Sequence, residues 1–121
     1  MRNHPWLRGT FIVMEIFKST ISPKQNLAGV FEFDGTVGYF YLYKISDDRD
    51  SEVLDAIHIL SRTPDFTEDD VEIRWDNGGQ KTALFIKAVP WALFDSVQGK
   101  KYGGNYEPKK RPSMISELVN F

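Results

Sequence analysis

The chain reads as mainly β, with two antiparallel β-meanders packed as a sandwich or forming one strongly bent sheet, and at most a short helix near the C-terminus. Three observations predict this. In VEIRWD, residues 71–76, Val71, Ile73 and Trp75 alternate with Glu72, Arg74 and Asp76, the period of a strand with one wet face. In VFEFDGTVGYFYLYK, residues 30–44, Asp34-Gly35 lies between two apolar runs, a strong hairpin signal. The two stretches also resemble each other at an offset of 41 residues, Val30 to Val71, each reading strand, glycine turn, strand, connection, strand. Two such units cannot close a propeller, and stacked repeats want at least three, so the likeness predicts two meanders or one continued sheet.

The elements follow in order. Residues 11–18, FIVMEIFK, are β-branched and aromatic enough for a first strand. Ser22-Pro23-Lys24-Gln25-Asn26 is a turn cluster in which Pro23 presets φ. Residues 27–33 form a second strand and 37–45 its return. EVLDAIHIL, residues 52–60, suits a short helix capped by Asp50 or Ser51, but also a strand; the repeat favours strand. After a loop containing Pro64 come the strand 71–76, the turn Asn77-Gly78-Gly79, the return 81–87, and a further strand 91–97. From Gly99 onward glycine, proline and charge predict a loop or arm, and SMISELVNF then makes one or two amphipathic turns that pack back on the sheet. The 121 residues form one domain, 1–121, with a core of about 10–97 and a C-terminal arm, 98–121.

In residues 37–45, Tyr39, Tyr41 and Tyr43 share one face while Phe40 and Leu42 share the other. A strand apolar on both faces belongs inside the structure. One face meets the other meander; the tyrosine face must be covered by the N-terminal segment, the C-terminal segment or another chain. Rings that are buried with hydroxyls at a polar rim are what a subunit interface would show.

Net charge is only −2, yet residues 46–76 carry eleven carboxylates and three arginines, a local charge of −8, whereas residues 98–112 carry +4. Asp47, Asp48 and Asp50, with Glu68, Asp69 and Asp70, are either solvated loop acids or a patch that recruits a basic partner. The acidity argues against nucleic acid. No apolar run approaches the roughly 20 residues of a membrane span. The N-terminus has no convincing leader, and together with the lack of cysteine this predicts a cytoplasmic protein.

The inventory for chemistry is thin, and it predicts no catalytic residue, no cofactor and no metal site. His4 and His58 are the only histidines, and His58 reads first as a satisfied structural residue. The acidic runs lack calcium-loop spacing, and the glycines form neither a dinucleotide fingerprint nor a phosphate loop. Trp75 fits the buried face of its strand, and Trp91, after Pro90, reads as core or rim, core being the default in a small β domain.

SPKQNLAGVFEFDGTVGYFYLYK, VLDAIHI and VEIRWDNGGQKTALFIK together resemble a small bacterial family known only as a domain of unknown function, with S-P-K-x-N, an acidic-glycine turn and then G-Y-F-Y. The resemblance covers about three quarters of the chain and fades after PWALFD. The chain departs from it in having FEFDGT where more acids are expected, and in its basic C-terminal arm. The resemblance implies a bacterial, cytoplasmic protein and carries no site residue. The leading functional expectation is a non-catalytic protein-interaction module, such as an immunity-type inhibitor whose acidic 46–76 region meets a basic toxin. The alternatives are a small-ligand binder or hydrolase with a pocket between the sheets, using His58 with a loop acid, and a structural homodimer pairing through Tyr39, Tyr41 and Tyr43.

Overall fold

A computed structural model describes residues 14–46, 51–114 and 116–121. Two four-stranded antiparallel sheets stack face to face. The first contains β1 (Ile16–Ile21), β2 (Leu27–Phe33), β3 (Gly38–Lys44) and β4 (Glu52–Leu60). The second contains β5 (Val71–Trp75), β6 (Lys81–Ile86), β7 (Val89–Asp95) and β8 (Lys100–Gly103). Each is a simple meander, so every hydrogen-bonded neighbour is also a sequence neighbour. The expected sandwich of two meanders is what forms. Among the described residues helix is confined to two short 3₁₀ turns, Glu68–Asp70 and Ser116–Leu118.

The core lies between the sheets. Phe31, Phe33, Phe40 and Leu42 from the first sheet meet Val71, Ile73, Leu84, Ile86 and Phe94 from the second. Alternation along each strand places these side chains on the inner faces. The sheets approach closely at Gly29, where a Cβ would come within 2.7 Å of the Thr82 hydroxyl and 2.9 Å of Ile73. Trp75 is half-buried against this core and its indole N–H donates to the Thr20 carbonyl at 2.8 Å, tying the second sheet to the first. Trp91 is core, as expected.

EVLDAIHIL is strand β4, and the structure shows why its pattern was ambiguous. Nine residues of β4 face seven of β3, with register shifts at Gly38/Tyr39 and Leu42/Tyr43. Each irregularity inserts a residue and breaks the period of two. Ile57, Ile59 and Leu60 therefore all reach the core, while Val53 and Leu54 are both exposed, at 47% and 46%. Leu60 fills the space beside Gly38, where a Cβ would lie 2.8 Å from its Cδ2.

Two expectations need correction in detail. Residues 100–103, expected to be loop or arm, form strand β8 on the edge of the second sheet, because β7 offers an open row of backbone partners to a sequence of weak β propensity. The third strand of the second meander also starts earlier than expected, at Val89, because Lys87 and Ala88 form a tight two-residue turn with φ of +53° and +67°. The first strand begins at Ile16 within the described residues, and the part of its expected span at 11–13 lies outside them.

The C-terminal residues do pack back on a sheet. Met114, Leu118, Val119 and Phe121 lie over Ala83, Phe85 and Leu93 on the outer face of the second sheet. Arg74 anchors the end of this segment. Its guanidinium sits 4.2 Å from the centre of the Phe85 ring, pairs with Glu72, and donates to the Phe121 carbonyl at 3.2 Å.

Candidate functional site

The outer face of the first sheet carries the three tyrosines. Cross-strand register sets Tyr39 between Glu32 and His58, Tyr41 between Val30 and Ala56, and Tyr43 between Ala28 and Val53. Phe17 and Ile21 extend this face onto β1, 57% and 65% exposed. The rings form a ladder: Tyr39 stacks on Tyr41 at 5.7 Å, Tyr41 meets Tyr43 edge-on at 5.9 Å, and Tyr39 meets His58 edge-on at 5.5 Å. β3 is interior to its sheet and Phe40 and Leu42 are buried. All three tyrosines, however, are only half-buried. The C-terminal segment is excluded as their cover, because it lies on the other sheet. Burial and the neighbouring Glu32 push the Tyr41 phenol above its ordinary range, burial being the larger cause.

Among the described residues, the acids of the 46–76 stretch are spread over both ends of the sandwich. Residues 68–70 precede Val71, at the end of the sandwich where Ile16, Phe33, Gly38 and Leu60 lie. Glu52 starts β4 at the opposite end, beside Lys44. Strand length separates the two ends by roughly 20 Å. Asp47, Asp48 and Asp50 lie outside the described residues. Several acids of the stretch have local partners. Asp55 pairs with Lys101 and Asp65 with Lys87. Glu72 pairs with Arg74. Asp70 accepts from the Thr67 backbone, and Asp76 from the backbone of Gln80 and Lys81. The ion-pair and hydrogen-bond partners hold Asp55, Asp65 and Glu72 below the usual carboxylate range.

A second feature sits where the sandwich edges β4 and β8 meet. After β8 the chain crosses from the second sheet to the first through Gly103 and Gly104, with φ of +84° and +106°. Glycine is required at both: a Cβ would lie 2.3 Å from the Trp91 carbonyl oxygen at Gly103 and 2.8 Å from the His58 carbonyl oxygen at Gly104. The crossing strand then pairs with the edge of β4, Asn105 N–H to His58 C=O at 2.9 Å and Tyr106 N–H to Ile59 C=O at 2.7 Å. The Tyr106 ring is clasped edge-on by Phe66 at 5.1 Å and Trp91 at 4.8 Å, and its hydroxyl donates to Asp65 at 2.7 Å.

This seam leaves a cavity of about 330 Å³ lined by His58, Ser61, Arg62, Asn105, Tyr106 and Glu107, among others. Inside it the His58 ring is held at both nitrogens: Nδ1 lies 2.9 Å from Asn105 Oδ1, and Nε2 lies 2.7 Å from Ser61 Oγ. The tautomer that carries its proton on Nδ1 donates to Asn105 Oδ1 and leaves Nε2 to accept from the Ser61 hydroxyl. The expected pairing of His58 with a loop acid is therefore corrected: its ring partners are a hydroxyl and a carboxamide. Asn105 was hidden in sequence within GGNY, which reads as turn chemistry, and it faces His58 only because two glycines carry the chain across the seam.

Among the described residues no helix is long and apolar enough to cross a membrane. No solved structure matches the chain. A curated Haemophilus influenzae protein, described as an uncharacterized protein, is 30% identical over 95 residues, covering 76% of this chain; the chain spans 57% of that relative's length. The model of a family described as an uncharacterized protein conserved in bacteria, DUF2251, matches residues 10–118. The resemblance carried by the S-P-K-x-N, G-Y-F-Y and E-I-R-W stretches is thus met by a match over nearly the whole sequence, and the chain belongs to this DUF2251 family.

Proposed function

We propose that this protein is a protein-interaction module that pairs with a second copy of itself through the outer face of its first sheet. The observation that carries this reading is an asymmetry between the two outer faces. The second sheet's outer face is covered by the chain's own C-terminal residues, whereas Phe17, Ile21, Val53 and Leu54 beside the tyrosine ladder are 46–65% exposed. Large exposed apolar faces mark interaction sites. The chemistry of the face favours a copy of itself over a basic partner. Glu32 is the only carboxylate in the cross-strand rows that contain the tyrosines, and no lysine or arginine lies in them, so two such faces meet with little repulsion. Tyrosine hydroxyls both donate and accept, so a ladder can satisfy its own image across a two-fold axis.

Light scattering with size exclusion at 10–200 µM tests this reading. A dimer is expected that Tyr41→Glu converts to monomer while far-UV circular dichroism stays unchanged. A wild-type monomer throughout that range overturns it. So does a dimer that survives Tyr41→Glu, and so does a wild-type monomer that turns dimeric only when residues 1–9 are removed, since the face would then be covered by the chain's own N-terminus.

A further inference from the structure

We propose that Ser61, His58 and Asn105 form a nucleophilic site that accepts the acyl group of a small ester or thioester. A serine hydroxyl becomes a nucleophile when a base within hydrogen-bond reach takes its proton and a third group fixes that base. Here Ser61 Oγ and His58 Nε2 are 2.7 Å apart, and Asn105 Oδ1 holds the opposite ring nitrogen at 2.9 Å. A carboxamide in the third position orients the imidazole as an aspartate would, as Cys-His-Asn enzymes show. Asn105 is itself fixed: its φ is +52°, its N–H is bound to the His58 carbonyl, and the preceding Gly104 is bound to Trp91. The Tyr39 ring stands edge-on against the imidazole from the other side. Ser61 is solvent-exposed and lines the cavity with Arg62. Arg62 spends one N–H on the Tyr106 carbonyl, and its remaining donors supply positive charge for an oxyanion.

The step balances with water alone. Ser61 Oγ bonds to the acyl carbon while its proton passes to His58 Nε2. The bond from carbon to the leaving oxygen or sulfur breaks, and His58 returns the proton to that leaving group. Water then repeats the sequence, its proton passing through His58, and releases the acid and free Ser61.

p-Nitrophenyl acetate is the probe. Wild-type protein is expected to release a burst of nitrophenol approaching one equivalent, with acetyl mapped to Ser61 by peptide mass spectrometry. Ser61→Ala abolishes the burst, His58→Ala slows it at least 100-fold, and Asn105→Ala slows it at least 10-fold. Added imidazole restores part of the rate to His58→Ala and none to Ser61→Ala, a response that a merely structural histidine does not give. Acetyl found only on lysines, a wild-type rate equal to that of Ser61→Ala, or His58→Ala reacting as fast as wild type overturns the proposal. The dimer measurement is independent of these outcomes, so either reading can fail alone.

Discussion

Ser22 and Gly79 show how single residues hold two distant turns together. The Ser22 hydroxyl accepts from the Lys24 and Gln25 backbone and donates to the Gly79 carbonyl at 3.0 Å. Gly79 has φ of +69°, and a Cβ there would come within 2.5 Å of that same hydroxyl. The turn at Ser22–Asn26 and the turn at Asn77–Gly79 are therefore held together by one contact. Gly79→Ala is expected to destabilise by about 2 kcal/mol, from left-handed backbone cost plus displacement of Ser22, read from the urea midpoint. The opposite sign is expected at Ala88. It occupies φ of +67° in the β6–β7 turn, where glycine is favoured. Ala88→Gly should stabilise by about 0.5–1 kcal/mol and raise the melting temperature by a few degrees.

Among the elements, the C-terminal segment has the clearest energetic role. Met114, Leu118, Val119 and Phe121 turn an otherwise wet sheet face into a second small core over Ala83, Phe85 and Leu93. Met114 is the most buried of the four and sits with the fully buried Ala83. Met114→Ala is expected to cost about 2 kcal/mol by loss of buried apolar volume. Ending the chain after Ser113 should cost more and raise binding of a hydrophobic dye, since it uncovers Phe85 and Leu93 together. An unchanged melting curve for the truncated chain would mean that the segment only rests on the sheet. β4 makes the complementary point: its inserted residues bring Ile57, Ile59 and Leu60 all to the core, and also aim His58 at the seam.

For the molecule as a whole, charge couples the elements that packing brings together. Lys101 of β8 binds Asp55 of β4 at 2.8 Å, and Tyr106 and Lys87 both reach Asp65. The largest influence on Asp55 is the Lys101 hydrogen bond, and on Asp65 the Tyr106 hydroxyl; each holds its carboxyl below the ordinary range. Asp34 is lowered likewise by the Val37 and Thr36 backbone donors, and Glu72 by Arg74. A depressed folded-state pKa stabilises the fold above the unfolded pKa of about 4, and that stability is lost as pH falls through the folded value. The melting temperature should therefore be level from about pH 8 to 5 and drop below about pH 4. Tyr106→Phe should move the Asp65 titration upward toward the ordinary carboxylate value, as followed by carboxyl carbon NMR.

Local pattern was sufficient for the class of fold. Alternation in residues 71–76 and the glycine turns are short-range signals, and they place β2, β3, β5 and β6 close to their observed bounds. The repeat marks both halves as meanders, yet it aligns β2 with β5, whereas β1 and β5 hold the first position in their sheets. That offset is invisible locally because β8, whose KKYG has little strand character, forms only when β7 offers it an edge. The same limit hid the rim cavity. His58, Ser61 and Asn105 come together only through a chain crossing, and β4 and β5 carry Glu52 and residues 68–70 to opposite ends. Contacts between residues up to 57 positions apart are set by how the sheets stack, and stacking depends on the shape of the whole core rather than on any one stretch.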